Sequence, residues 1–160
     1  MFEVVAFLAC RRASPEGTYN PGALARLPYT LEGVSYTFQI ADPAVEPPFH
    51  IEELWLYLRF SRTHRVGFTR RFGLRIMGLD DNNNRIQVPY PAVPSTLQPF
   101  SLGEFIFPGH SPVTSKPVVV RDLVLPRRGR YEFRLLAERK RTNWRGSMWR
   151  WVASHFIAVE

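Results

Sequence analysis

The chain has 160 residues, 45% of them apolar types and 22% charged, with a single cysteine and a net charge of +7. That composition excludes global disorder, and the length suits one domain that can bury a core without disulfides or a structural metal. No apolar run approaches the roughly 20 residues of a membrane-spanning helix.

The charge is uneven. Residues 1–60 carry four arginines and seven acidic groups, whereas residues 61–160 carry 17 basic and seven acidic groups. A basic half attracts nucleic acid, anionic lipid or an acidic protein. Nineteen of the 21 cations are arginine, and arginine stems also cover apolar sheet surface, so an ordinary solvated sheet face competes with those readings.

In chain order, Phe2–Ala9 is apolar on both faces, as an inner strand is. Phe7-Leu8-Ala9-Cys10 has the outline of a lipoprotein cleavage box, but no cation precedes the run and Glu3 interrupts it, which leaves a first strand. Cys10 has no partner for an internal disulfide, which favours a reducing, cytoplasmic setting. Residues 11–32 read as a long irregular loop, within which Asn20 and Pro21 would cap and open one helical turn to Leu27.

Strict alternation then predicts strands. Val34, Tyr36, Phe38 and Ile40 share one face, and Leu54, Leu56, Leu58 and Phe60 share another, opposite Trp55, Tyr57 and Arg59. Phe72, Leu74 and Ile76 oppose Arg71, Arg75 and Met77, and the run Asp80-Asp81-Asn82-Asn83-Asn84 reads as the following hairpin turn. Arg85–Val88 and Leu102–Phe107 are shorter candidates, the second inside a long loop over 89–116. Val118–Leu125 is a strand that Arg121-Asp122 interrupts, as a bulge does. A tight turn at Pro126–Gly129 leads into Arg130–Glu138, where Tyr131, Phe133, Leu135 and Ala137 face inward. In Ser147–Val159, unbroken alternation places Trp149, Trp151, Ala153, His155, Ile157 and Val159 on one buried face.

Fourteen prolines leave few windows for helix. The expected fold is all-β: one antiparallel two-sheet β-sandwich, immunoglobulin-like or C2-like, with seven to nine strands. A closed barrel is the alternative.

An early Leu31-Glu32-Gly33-Val34 strand and a late Leu125-Pro126…Gly129-Arg130-Tyr131-Glu132-Phe133 hairpin before a closing strand resemble a family of small bacterial β-sandwich proteins of unknown function. Arg128 stands where that pattern has proline. The resemblance implies a sandwich and assigns no site residues.

Catalytic and metal motifs are absent from the sequence. His50, His64, His110 and His155 show no metal-ligand spacing, and His155 reads as a core histidine. Asp80, Asn82 and Asn84 match the start of a calcium loop but lack its glycine and final glutamate. Gly109-His110-Ser111 supplies an imidazole and a hydroxyl without a third, orienting group, so a hydrolase is the least supported class. Glu52-Glu53 reads as solvent-facing surface. A row of Trp55 and Tyr57 would suit a sugar if exposed, but a strand buried on both sides is the favoured reading. No cofactor or metal is expected.

Residues 121–151 hold ten cations interleaved with Trp144, Trp149 and Trp151. With Trp149 and Trp151 expected in the core, the hairpin tip offers Arg139, Lys140, Arg141, Trp144 and Arg145 as a contact surface. The leading expectation is a non-catalytic module that binds a protein partner through this tip and its edge strands, with edge pairing as a route to a homodimer. The alternative is single-stranded nucleic-acid binding by the same arginines and tryptophans.

Overall fold

Alternation becomes extended chain throughout the computed structural model, which describes residues 2–15, 29–34, 37–38, 44–62, 66–79, 82, 84–90, 99–109, 113–140 and 147–160. The strands are β1 (Phe2–Cys10), β2 (Arg12–Pro15), β3 (Tyr29–Glu32), β4 (Thr37–Phe38), β5 (Phe49–Arg62), β6 (Phe68–Leu79), β7 (Arg85–Val88), β8 (Phe100–Phe107), β9 (Val113–Leu125), β10 (Gly129–Lys140) and β11 (Ser147–Val159). No helix occurs among the described residues. The helical turn expected at 21–27 lies outside them.

Two sheets face each other. The smaller has the order β1-β5-β9, and the larger β4-β11-β10-β6-β7 with β8 also paired to β6. Pairing is antiparallel except where β4 runs parallel to the end of β11. Each sheet's inner face carries the apolar parity read from the sequence. Leu54, Leu56, Leu58 and Phe60 of β5 are sealed from solvent, against Phe72, Leu74 and Ile76 of β6 and Tyr131, Phe133 and Leu135 of β10. Phenylalanines close one end of this core. The Phe60 ring lies 4.7 Å from Phe72 and 5.5 Å from Phe107, and Phe107 stacks on Phe68 at 4.5 Å. Full burial of each such ring contributes about 1.5–3 kcal/mol.

Several expectations need correction. The ends of the 11–32 stretch are not irregular: β2 pairs β3, Arg12 opposite Glu32, and the Arg11 amide donates to the Glu32 carbonyl at 2.9 Å. β9 starts at Val113, inside the expected 89–116 loop. Val34 precedes β4 and is exposed rather than inward-facing; Tyr36 and Ile40 lie outside the described residues. Asp122 does not shift the β5–β9 register, which is the same at Ile51–Leu123 and Glu53–Arg121. It takes a left-handed φ of 53°, a conformation that aspartate tolerates better than most residues. Tyr57 is buried, its hydroxyl donating to Ser115 Oγ at 3.1 Å, and Trp55 is tied to Glu53 at 2.6 Å, so this pair forms no exposed aromatic row.

The largest correction is in β11. Leu135 stands opposite Ala153, but Leu136 stands opposite Trp151, so Val152 is an extra residue and forms a β-bulge. Val152 and Ala153 both pack against the core. From there back to residue 148, inside and outside are exchanged. Trp151 is therefore 52% exposed instead of buried. Trp149, opposite Glu138, lies on the outer face of the large sheet, half-buried over Gly73. His155, beyond the bulge, keeps its expected place in the core, its ring 6.4 Å from that of Phe7.

Candidate functional site

The bulge also decides where arginines go. On β6, Arg70 has the inward parity of Phe68 and Phe72; on β10, Arg139 has that of Ala137. Arg150 of β11 stands opposite Ala137, so it too belongs to the inner side. At this end the inner face of the large sheet thus passes from apolar side chains to guanidinium groups on three neighbouring strands.

Beneath them opens a cavity of about 540 Å³, within the usual range for ligand pockets. Phe2 and Val4 of β1, Ala137 and Val152 supply apolar walls. Glu3, Arg70, Glu138, Arg139, Arg150 and Trp151 supply polar ones and the mouth.

The charges are unequally met. Arg71 is paired with Glu104 at 2.9 Å, Arg134 with Glu132 at 2.8 Å and Arg121 with Glu53 at 3.7 Å. Arg139 and Arg150 make no ion pair or side-chain hydrogen bond with any described residue. Arg70 donates from Nη1 to the Glu138 carbonyl at 2.9 Å. Its Nε is shielded from solvent and has no partner among the described residues. The carboxylate of Glu138 is met by Arg71, whose Nε lies 4.0 Å away. Glu3 is the remaining acid at the cavity.

Trp151 is held rather than loose. Its Nε1 donates to the Ala153 carbonyl and to Ser154 Oγ, both at 3.0 Å. Ser154 in turn donates to Glu132 Oε1 at 2.7 Å. Arg134, bound to Glu132 Oε2, places its guanidinium 4.5 Å from the centre of the Trp151 ring. This cation–π contact closes a ring of four residues. Burial alone would raise the Glu132 carboxyl, but hydrogen bonds from Arg134 and Ser154 and the charges of Arg134 and Arg85 hold it below the ordinary glutamate value.

Of the residues expected from the sequence, Arg139 lines the cavity mouth and Lys140 ends β10. Arg141, Trp144 and Arg145 lie outside the described residues. So do His110 and Ser111, and the turn residues Asp80, Asp81 and Asn83. No group of three potential metal ligands occurs among the described residues, nor does any helix long and apolar enough to cross a membrane. Sequence reasoning missed Arg70, Arg150 and the exposure of Trp151. Arg70 was detectable, being a cation at inward parity between two phenylalanines.

A second hollow of about 220 Å³ lies near the β6–β7 hairpin, beside Arg85, Glu132 and Phe156. Its cations are satisfied: Arg130 sits 4.3 Å from the Phe156 ring centre, and Arg85 lies 3.8 Å from Glu132. Buried Cys10 is an unsuitable nucleophile, because burial raises its thiol pKa.

No protein-family model matches the chain, and no curated protein matches it in sequence.

Proposed function

We propose that this protein is a non-catalytic β-sandwich module that binds a protein partner through the end of the large sheet where β10 and β11 meet the cavity. One observation carries the reading. The Trp151 indole is half exposed yet fixed by Ser154 and Arg134, beside Arg139 and Arg150, which have no counter-ion among the described residues. Tryptophan and arginine are the commonest anchors of protein interfaces. An anchor already immobilised loses little further entropy on binding. The reading keeps the sequence expectation that Lys140, Arg141, Trp144 and Arg145 take part in the contact, and a cytoplasmic setting and kinship with the small bacterial sandwich proteins belong to it.

Single-stranded nucleic acid is the rival. Against it stands the occupied face of Trp151: Arg134 covers a surface on which a base would stack.

The test is cross-linking capture in the native host with the wild-type chain, Trp151→Ala and Arg139→Ala/Arg150→Ala. Loss of one reproducible protein partner from both variants is the expected result. An unchanged partner set overturns the choice of surface. Oligonucleotide binding that weakens steeply with salt and is lost in the same variants overturns the protein reading in favour of the rival.

A further inference from the structure

Resting on that reading, we propose that the 540 Å³ cavity receives an acidic peptide segment of the partner, its carboxylate held by Arg70 and an adjoining apolar side chain seated against Phe2 and Val152. The argument starts from Arg70. A guanidinium presents five donors in a planar fork and stays charged at every accessible pH. Here Nη1 is committed to the Glu138 carbonyl, which fixes the plane of the group. Nε is shielded from solvent, which leaves Nη2, without a partner among the described residues, as the donor a ligand can reach.

A hydrogen bond from a charged, half-buried guanidinium to a carboxylate is about twice as strong as one between neutral groups. Neutral acceptors would satisfy the hydrogen bond, but the surroundings select an anion. Arg139 and Arg150 add two positive charges at the mouth that have no ion pair among the described residues, against Glu3 and a Glu138 that shares Arg71 with the closer Glu104. A small inorganic anion would use the cations and leave the apolar walls wet. A carboxylate next to an aromatic or aliphatic group uses both, because apolar area removed from water then adds to the ion pair. The half-buried position of the pair also spares it much of the screening that makes exposed salt bridges weak.

The experiment uses the full chain and the N-acetylated dipeptide amide glutamyl-phenylalanine, with glutaminyl-phenylalanine as its neutral twin. Binding is followed by NMR at the Arg70 Nε–H resonance and at the Trp151 indole. The expected result is a saturable shift of both signals with the acidic peptide. The neutral twin should bind at least about tenfold more weakly, as should the acidic peptide to Arg150→Met, an exposed position without an ion pair among the described residues, whose replacement is expected to leave the amide spectrum of the sheet unchanged. Arg70→Met should abolish binding, with its amide spectrum reporting whether the sheet persists.

Equal affinity for the two peptides, or no shift at Arg70 at millimolar peptide, overturns the proposal. Tighter binding of a short oligonucleotide at the same resonances overturns it as well. In partner capture, loss with Trp151→Ala but retention with Arg70→Met removes the cavity proposal and leaves the interface standing. Retention with both removes both.

Discussion

Leu136 of β10 faces Trp151 of β11, one step out of phase with the neighbouring Leu135–Ala153 pair. The extra residue between those pairs turns an inward tryptophan outward and an outward arginine inward. The presented indole and the inward Arg150 at the cavity mouth therefore both follow from Val152.

This arrangement makes a quantitative prediction for Trp151. Were the indole in the core, Trp151→Ala would cost 3–5 kcal/mol, as large-to-small core changes do. On the outer face the loss is a cation–π contact and an indole hydrogen bond, about 1–2 kcal/mol together. Urea unfolding of Trp151→Ala beside Phe133→Ala should separate the two cases, with the second variant much the less stable. Equal losses would return Trp151 to the core.

Glu132 makes stability depend on acid. Its carboxyl is held below the ordinary value of 4.5 in the folded chain. Its contribution is therefore complete above the unfolded pKa and disappears as pH falls through the lower, folded one. Glu132→Gln should cost about 2 kcal/mol near neutrality, the scale of a hydrogen bond to a charged group. The gap between variant and wild type should narrow below about pH 4.5. A gap that stays constant from neutral to acid would show that the carboxylate charge is not what counts.

Gly73 tests the packing of the outer face. A Cβ there would lie 2.8 Å from Pro99 Cγ and 3.2 Å from Trp149 Cζ3. Gly73→Ala should lower stability by about 1–3 kcal/mol, the usual cost of forcing atoms into a filled space. Trp149 emission should shift as the ring is displaced. Unaltered melting would mean that Pro99 and Trp149 do not pack over this glycine.

Tyr131 ties the turn between β9 and β10. Its hydroxyl donates to the Arg127 carbonyl at 2.6 Å and accepts from the Arg127 amide at 3.2 Å. Tyr131→Phe keeps the ring in the core and removes both bonds, so a loss of about 1–2 kcal/mol is expected from calorimetry. Faster hydrogen exchange should be confined to residues 126–130. A loss spread evenly through the sheet would mean that the hydroxyl does not act on the turn.

Much of the fold was legible in the sequence because period-two alternation is a direct record of which face is buried. Leu54 to Phe60, Phe72 to Ile76 and Tyr131 to Ala137 all face as the pattern says. The record fails where one residue is inserted without any compositional mark. Val152 is an unremarkable valine in an apolar strand, and the partner strand that reveals it as a bulge is known only from pairing. Glycine or proline would have announced it; valine does not. The site suffered most, since every position from 148 to 151 was assigned to the wrong side. The pairing of β2 with β3 was hidden differently, by the 13 residues of sequence that separate Pro15 from Tyr29.

The order of the strands has a consequence for synthesis. β11 is translated after the ten other described strands, yet it lies inside the large sheet, with β10 on one side and β4, made more than 100 residues earlier, on the other. Until residues 147–159 emerge, a growing chain on the ribosome can close neither β10 nor β4, and the oily strip formed by Tyr131, Phe133 and Leu135 borders an open seam. Nascent chains stalled before that point should be the ones that chaperones hold longest.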